Sequence, residues 1–273
     1  MSTAAIRVPY ADVVDLEQYP IHDLTSDAGQ VLLTRCRTAL LADGVCSLPG
    51  FVRAEAVAAM IRLARELADR AWGSQSEHTV YFEPPDATVA AEDPRARLVR
   101  SAKHGLAYDQ LPPEAPIRRL YEHDDLTRFI AGVLGKDELY RSADPLDAVQ
   151  VTTMSEGEEL GWHFDRSEFS VTVMYQQAER GGDFDYCPGL RSETEPNLAA
   201  VQAALDDDPS RRVRLASSPG ALAIFRGHHA LHRVTPVAGP RPRINSVLTY
   251  GEIPDMRLND LTSMIFYGRT SPR

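Results

Sequence analysis

The apolar positions change their period near residue 140. Before that point they recur at helical spacing. From Ser26 to Asp43, the positions Val31, Leu32, Leu33, Ala39, Leu40 and Leu41 suit an amphipathic helix, with Gly44 at its C-terminal end. Val45–Leu48 reads as a short strand stopped by Pro49-Gly50. Residues 53–72 predict a second helix, with Val57, Met60, Ile61, Ala64 and Leu67 on one stripe. Residues 113–135 predict one or two more, broken near His123-Asp124-Asp125 and ended by Gly135. These stripes read as core that buttresses a sheet. Residues 1–24 look irregular, with Pro9 and Pro20 as breaks. In 73–112, Val80-Tyr81-Phe82 reads as a strand and residues 86–95 as a polar loop, while Leu98–Ser101 is too short to assign.

Beyond residue 140, short alternating segments and turn signals dominate, as in an all-β sandwich or barrel. Val149–Met154 is the first strand. Glu156–Glu159 turns into a strand carrying His163. Phe169–Tyr175 alternates cleanly, and Gly181-Gly182 turns into Asp183–Tyr186. Pro196–Leu205 predicts a helical insert stopped at Asp206–Pro209. Ala221–Phe225 is a buried strand, and Arg226–His229 the turn before a strand with His232. Arg243–Tyr250 is another strand, and Met264–Tyr267 a final one.

The chain has 273 residues, with 43% hydrophobic and 25% charged, which is ordinary for a globular domain able to fold without disulfides. Its formal net charge of −10 argues against nucleic acid or an anionic membrane surface as partner. Only Lys103 and Lys136 are lysines among 29 basic residues. Cys36, Cys46 and Cys187 are odd in number and show no metal spacing, so they read as reduced thiols of a cytoplasmic protein. The N-terminus has no signal-peptide layout, and no apolar run reaches the roughly 18 residues of a membrane span.

Candidate chemistry centres on Gly161-Trp162-His163-Phe164-Asp165-Arg166. Strand alternation puts His163 and Asp165 on one face and Trp162 and Phe164 on the other. A second imidazole from the Ala230–Val234 strand, His232, would complete two histidines and one carboxylate. That set caps one face of an octahedral ion and leaves the other positions open, as non-haem Fe(II) oxygenases require; a catalytic zinc would also accept it. His228 and His229 compete for the same role but sit beside Gly227 in a loop, so His232 is favoured. His22, His78, His104 and His123 have no partner pattern.

Arg243 lies eleven residues after His232, across the turn-rich Pro236–Pro242. A symmetric hairpin centred between Val237 and Ala238 would set His232 opposite Arg243, on one face, with Cβ atoms roughly 5 Å apart. A guanidinium there would clamp a carboxylate. A chelating co-substrate with a distal carboxylate, such as 2-oxoglutarate, would fit between the ion and Arg243.

Taken together, Trp162–Asp165, Gly181–Phe184, Pro219–Leu222, His232–Val234 and Arg243 resemble the Fe(II)/2-oxoglutarate-dependent oxygenases. The resemblance is closest to the group of free-amino-acid halogenases and their hydroxylating relatives. It covers the C-terminal half, with a weaker echo at Arg100. It implies a jelly-roll, cupin-like double-stranded β-helix at 140–268, mainly β with flanking helices. Residues 1–139 then form mostly helical support within a single domain, 1–273. It also implies Fe(II), 2-oxoglutarate and O2 as reactants, a small-molecule amino-acid substrate, and succinate and CO2 as products. The halogenases of this group carry a small residue where Asp165 stands, so its carboxylate points to hydroxylation. By the same resemblance Arg100 receives the substrate carboxylate, with Asn245, Asp144, Asp147 and Tyr267 as further pocket candidates. Two alternatives stand beside this reading: a cupin-type metalloenzyme that does not use 2-oxoglutarate, and a non-catalytic ligand-binding β domain.

Overall fold

The computed structural model describes residues 8–273. Helix α1 (Asp27–Asp43) begins at Ser26, whose hydroxyl accepts the Gly29 N–H, and ends at Gly44 in the left-handed region. Strand β1 (Val45–Leu48) and helix α2 (Ala54–Glu66) follow. α2 is shorter than its stripe predicts: a 3-10 turn at Ala68–Arg70 closes it and β2 (Trp72–His78) begins. β2 pairs along its whole length with β3 (Val99–Leu106). The expected strand at Val80–Phe82 is therefore a turn, and the strand is the polar run before it. Helices α3 (Pro116–Tyr121) and α4 (Asp124–Leu134) are separate, split at Glu122-His123.

The β region contains β4 (Tyr140–Arg141), β5 (Val149–Met154), β6 (Glu159–His163), β7 (Ser170–Gln176), β8 (Arg180–Gly181) and β9 (Phe184–Cys187). Helix α5 (Leu198–Leu205) interrupts it. Then come β10 (Val213–Arg214), β11 (Leu222–Phe225), β12 (Leu231–Val234), β13 (Val237–Ala238), β14 (Arg243–Leu248) and β15 (Tyr250–Gly251). The chain ends with α6 (Asp260–Tyr267), where a strand was expected at Met264–Tyr267. Asn259 caps this helix by accepting the Thr262 N–H, and Gly268 ends it. A four-residue apolar run does not separate the two periods, and here the caps decide.

Eleven strands share one antiparallel sheet, in the order β1-β11-β7-β14-β5-β3-β6-β12-β9-β10, with β2 on the side of β3. The sheet curls until its two ends face each other. Phe225 of β11 meets Phe184 of β9, with ring centroids 5.1 Å apart, and His232 of β12 at 4.8 Å. Strands far apart in hydrogen-bonding order are thus in contact, which is the closure of a jelly roll.

Alternation sorts the side chains. Val149 and Val151, Val171 and Val173, Leu222 and Ile224, and Ile244 and Leu248 face outward. There they pack with Leu33, Leu40, Met60, Phe129 and Ile130 of the helices in one core cluster. Each such side chain contributes about 1.5–3 kcal/mol when fully buried. The helices therefore buttress half of the sheet, and the alternate residues of the same strands point into the roll. On the other half, α5 covers Trp162, Phe164 and Leu231 through Val201 and Ala204.

Candidate metal centre and co-substrate site

β6 and β12 pair so that His163 lies directly opposite His232. The pairing then slips by one residue before Val234 meets Leu160, so both imidazoles and both following apolar side chains face inward. The imidazole centroids are 4.1 Å apart. Asp165 Oδ1 sits 3.6 Å from Nε2 of His163 and 3.4 Å from Nε2 of His232. These three side chains form a compact group able to hold a metal ion.

Asp165 reaches this position past the end of β6 rather than within the strand. Its N–H donates to the Gly227 carbonyl at 3.0 Å, and its Oδ2 accepts the Ser170 hydroxyl at 2.6 Å. Oδ1 is left for the ion. Gly227 itself is required: a Cβ there would collide with the Asp165 carboxylate. Each imidazole is turned by a backbone carbonyl. Nδ1 of His163 donates to Gly161 O at 2.8 Å, and Nδ1 of His232 to Ala230 O at 2.9 Å. A carbonyl only accepts, so both Nδ1 atoms carry a proton, and both Nε2 atoms face Asp165 and are left for an ion. Burial pulls His163 down to about 3, keeping it neutral. Burial alone would raise the Asp165 carboxyl. The His232 imidazole, His163 and Ser170 outweigh it and hold the group well below the usual carboxylate range. An ionised carboxylate and two imidazoles whose Nε2 atoms converge on it suit a divalent ion such as Fe(II).

A wall that the sequence reading missed closes one side of His163. His78 stacks on Phe82, and Phe82 meets the His163 ring edge-on at 5.3 Å. Ser101 bridges His78 Nε2 at 2.7 Å and the Gly161 N–H at 3.1 Å. Phe82 adopts φ 55°, an uncommon backbone for a bulky residue, while its carbonyl accepts from Arg166. The one available signal was a non-glycine residue forced into a turn, which a sequence does not display.

Arg243 does not sit opposite His232. β13 leaves the expected hairpin to pair with β8, and β14 enters the sheet between β5 and β7, with Arg243 opposite Met154. The guanidinium still faces the interior. It lies beside Gly182, where a Cβ would stand 3.3 Å from Arg243 Cδ, and its strand pairs it with Met154 of the apolar cluster that includes Val234. Its Nε donates to Gly182 O at 3.1 Å and its Nη1 to Asn245 Oδ1. Gly181 and Gly182 both have φ near +63° and bring that carbonyl close, with a Cβ on Gly181 barred at 2.0 Å by Pro236 O. Arg243 is 6% exposed, and among the described residues no carboxylate makes an ion pair with it. Burial draws it down to about 10, against the pull of Asp183. A buried, anchored guanidinium without a counter-ion fits a ligand carboxylate.

The remaining candidates divide. Asn245 is buried inside the roll and holds Arg243. Arg100 is a correction: it lies on the outward face of β3, 40% exposed, bonded to Gly157 O and Glu159. Ser101 and Lys103 take the inward face in its place, because alternation allows only one set. Asp144 accepts three backbone N–H groups, from Leu146, Asp147 and Leu258, and serves its loop. Asp147 accepts the Tyr267 hydroxyl at 2.6 Å. His228 donates to Asp165 O and His229 bonds Glu193, so both stay outside the triad. A cleft lined by Val52, Arg53, Ala58 and Arg241 lies on the outer face at α2, away from this chemistry.

A jelly roll with two inward histidines, one carboxylate and a buried lone arginine fits a 2-oxoglutarate- and Fe(II)-dependent oxygenase. The family model described as Halogenase D matches residues 26–264. The chain belongs to the Halogenase D family. No curated protein matches the sequence. Among solved structures it is similar to AviO1 from Streptomyces viridochromogenes Tue57, at 16% identity and TM-score 0.54, over 84% of this chain and 97% of that one. It is similar to the epimerase SnoN in complex with Fe3+, alpha ketoglutarate and nogalamycin RO, at 17% identity and TM-score 0.55, over 81% and 84%. It is also similar to a 2OG-Fe(II) oxygenase family oxidoreductase from Burkholderia pseudomallei, at 18% identity and TM-score 0.50, over 80% and 90%. These likenesses show the fold. Among the described residues no helix is long and apolar enough to cross a membrane.

Proposed function

We propose that the protein hydroxylates a free amino acid or a small amino-acid-derived metabolite, using Fe(II), 2-oxoglutarate and O2. His163, Asp165 and His232 would hold the iron, and Arg243 the distal carboxylate of 2-oxoglutarate. Iron with 2-oxoglutarate and O2 supplies the oxidising power: one oxygen atom enters the substrate and the other enters succinate, with loss of CO2. The chain's own residues orient and enclose. Gly161 O and Ala230 O aim the imidazoles, Ser170 and Gly227 fix the carboxylate, and Asn245 fixes Arg243. The aromatic wall of His78 and Phe82 excludes water on one side.

The observation that carries hydroxylation is Asp165, whose Oδ1 lies within 3.6 Å of both Nε2 atoms. A third protein ligand fills the position that a halide would need. The family description favours a second reading, transfer of halide to the same carbon. Product mass after turnover with chloride present separates the two. A gain of one oxygen supports hydroxylation, and a gain of chlorine sinks it.

A further inference from the structure

Two half-buried charges, Lys103 and Asp147, have no use in this chemistry. Lys103 lies on the inward face of β3, two residues from Ser101. Its ammonium donates to Gln150 Oε1 at 2.7 Å and lies 5.2 Å from the Phe266 ring centroid. Asp147 stands at the entry to β5 and accepts the hydroxyl of Tyr267, from α6. Among the described residues neither charge makes an ion pair. The chain's other lysine shows the contrast: Lys136 meets Glu168 at 2.7 Å and Glu252 at 3.0 Å.

Opposite charges in one half-buried region gain by pairing directly. Here each is met by neutral groups instead, so a ligand that brings both complementary charges would relieve both. Burial draws Lys103 down to about 8 and pushes Asp147 up to about 6, each countered in part by the other. Ser101, on the same face of β3 two residues away, bonds His78 and the Gly161 N–H beside His163, so Lys103 lies on the face that carries the triad's wall. A molecule with a carboxylate and an ammonium on one carbon, and a tail to spare, is an α-amino acid.

We infer that Lys103 and Asp147 receive the head of a free α-amino acid, Lys103 taking its α-carboxylate and Asp147 its α-ammonium, with the side chain directed to the iron. This rests on the amino-acid reading above, and it moves the carboxylate contact from Arg100 to Lys103.

The test follows succinate release by the iron-loaded full chain with 2-oxoglutarate and O2. The free proteinogenic L-amino acids, their carboxamides and their N-acetyl derivatives are offered in turn. At least one free amino acid should drive turnover, with its carboxamide poorer by at least about 30-fold in kcat/KM. Lys103→Met should raise KM for that acid about 30-fold or more and erase the acid-over-amide preference, and Lys103→Arg should restore most of it. Asp147→Asn should do the same for the amine against its N-acetyl form. The charge-transfer absorbance of Fe(II) with 2-oxoglutarate, recorded without amino acid, reports whether each variant still assembles its iron site. An acid-over-amide ratio near one in the native protein overturns the Lys103 assignment without any variant. An unchanged KM in Lys103→Met overturns it while the amino-acid reading stands. If no free amino acid drives turnover, both fall.

Discussion

A Cβ on Gly227 would stand 1.9 Å from Oδ2 of Asp165. The turn before β12 is therefore pressed against the carboxylate that faces the two imidazoles, and the same residue's carbonyl fixes the Asp165 N–H. Gly227→Ala must move one or the other. Iron affinity should fall about 10–100-fold, the usual cost of losing a partner that orients a ligand. Isothermal titration with Fe(II) under anaerobic conditions would measure it. Unchanged affinity would show that Asp165 is free to shift.

His232 faces His163, whereas His228 points its Nδ1 at the Asp165 carbonyl. His232→Ala should lose stoichiometric iron and all succinate release. His228→Ala should keep one iron per chain. Iron content after gel filtration decides between them, and a reversal would move the ligand role into the turn.

Arg243 is buried and has no counter-ion among the described residues, while Arg241 sits in the proline-flanked turn and donates to Ala178 O. Removing one partner of an enclosed charge pair costs about 3–5 kcal/mol. Arg243→Leu should thus raise the KM for 2-oxoglutarate by about 10²–10⁴-fold. Arg241→Leu should change it little. Asn245→Leu, which frees the guanidinium, should fall between them. A dominant effect of Arg241 would displace the co-substrate site.

Much of this centre was legible because it obeys alternation. Arg243 and Asn245, two apart in β14, share a side whichever strands flank them, and His163 and Asp165 converge although Asp165 lies past the end of β6. What failed needed long-range pairing. The hairpin between His232 and Arg243 looked symmetric in sequence, yet Val237-Ala238 finds Arg180-Gly181 instead, and β14 crosses to the opposite half of the roll. Arg100 failed by one residue of phase, which flips a strand's faces. Its phase is set by Ser101 pairing with Leu160 and by the slip in β6, neither visible locally. Trp72–His78 carries no apolar period and becomes a strand only because β3 lies beside it.

Asp147 makes stability depend on pH in a direction unusual for a carboxylate. Its folded value, about 6, lies above the ordinary 3.8. Between those values the folded chain holds more protons than the unfolded one, so stability falls as pH rises through this window. The full penalty, at most about 3 kcal/mol, is present at pH 7. Asp147→Asn should raise the melting temperature at pH 7 and flatten the slope between pH 4 and 6. A native protein whose stability rises through that window because of this residue, with the variant less stable at pH 7, would show Asp147 to be a stabilising ion.

The outcome of the reaction turns on Asp165. Its Oδ1 lies 3.4 Å from His232 Nε2 and 3.6 Å from His163 Nε2, where one ion would meet all three. With that carboxylate bound, no protein-side position is vacated for chloride. The native protein should therefore add oxygen even when chloride is abundant. Asp165→Gly would open the position, but it would also remove the only ligand charge and strip the Ser170 hydroxyl of its acceptor. Halide placement needs polar groups directed at the ion, and beside the Ser170 hydroxyl the imidazoles are flanked by the aromatic rings of Phe82, Phe184 and Phe225. The variant should lose most of its iron affinity and give little or no chlorinated product. Mass spectrometry of products formed with chloride and labelled O2 tests both proteins. Labelled oxygen in the native product supports Asp165 as a ligand, and chlorine in it removes Asp165 from the iron.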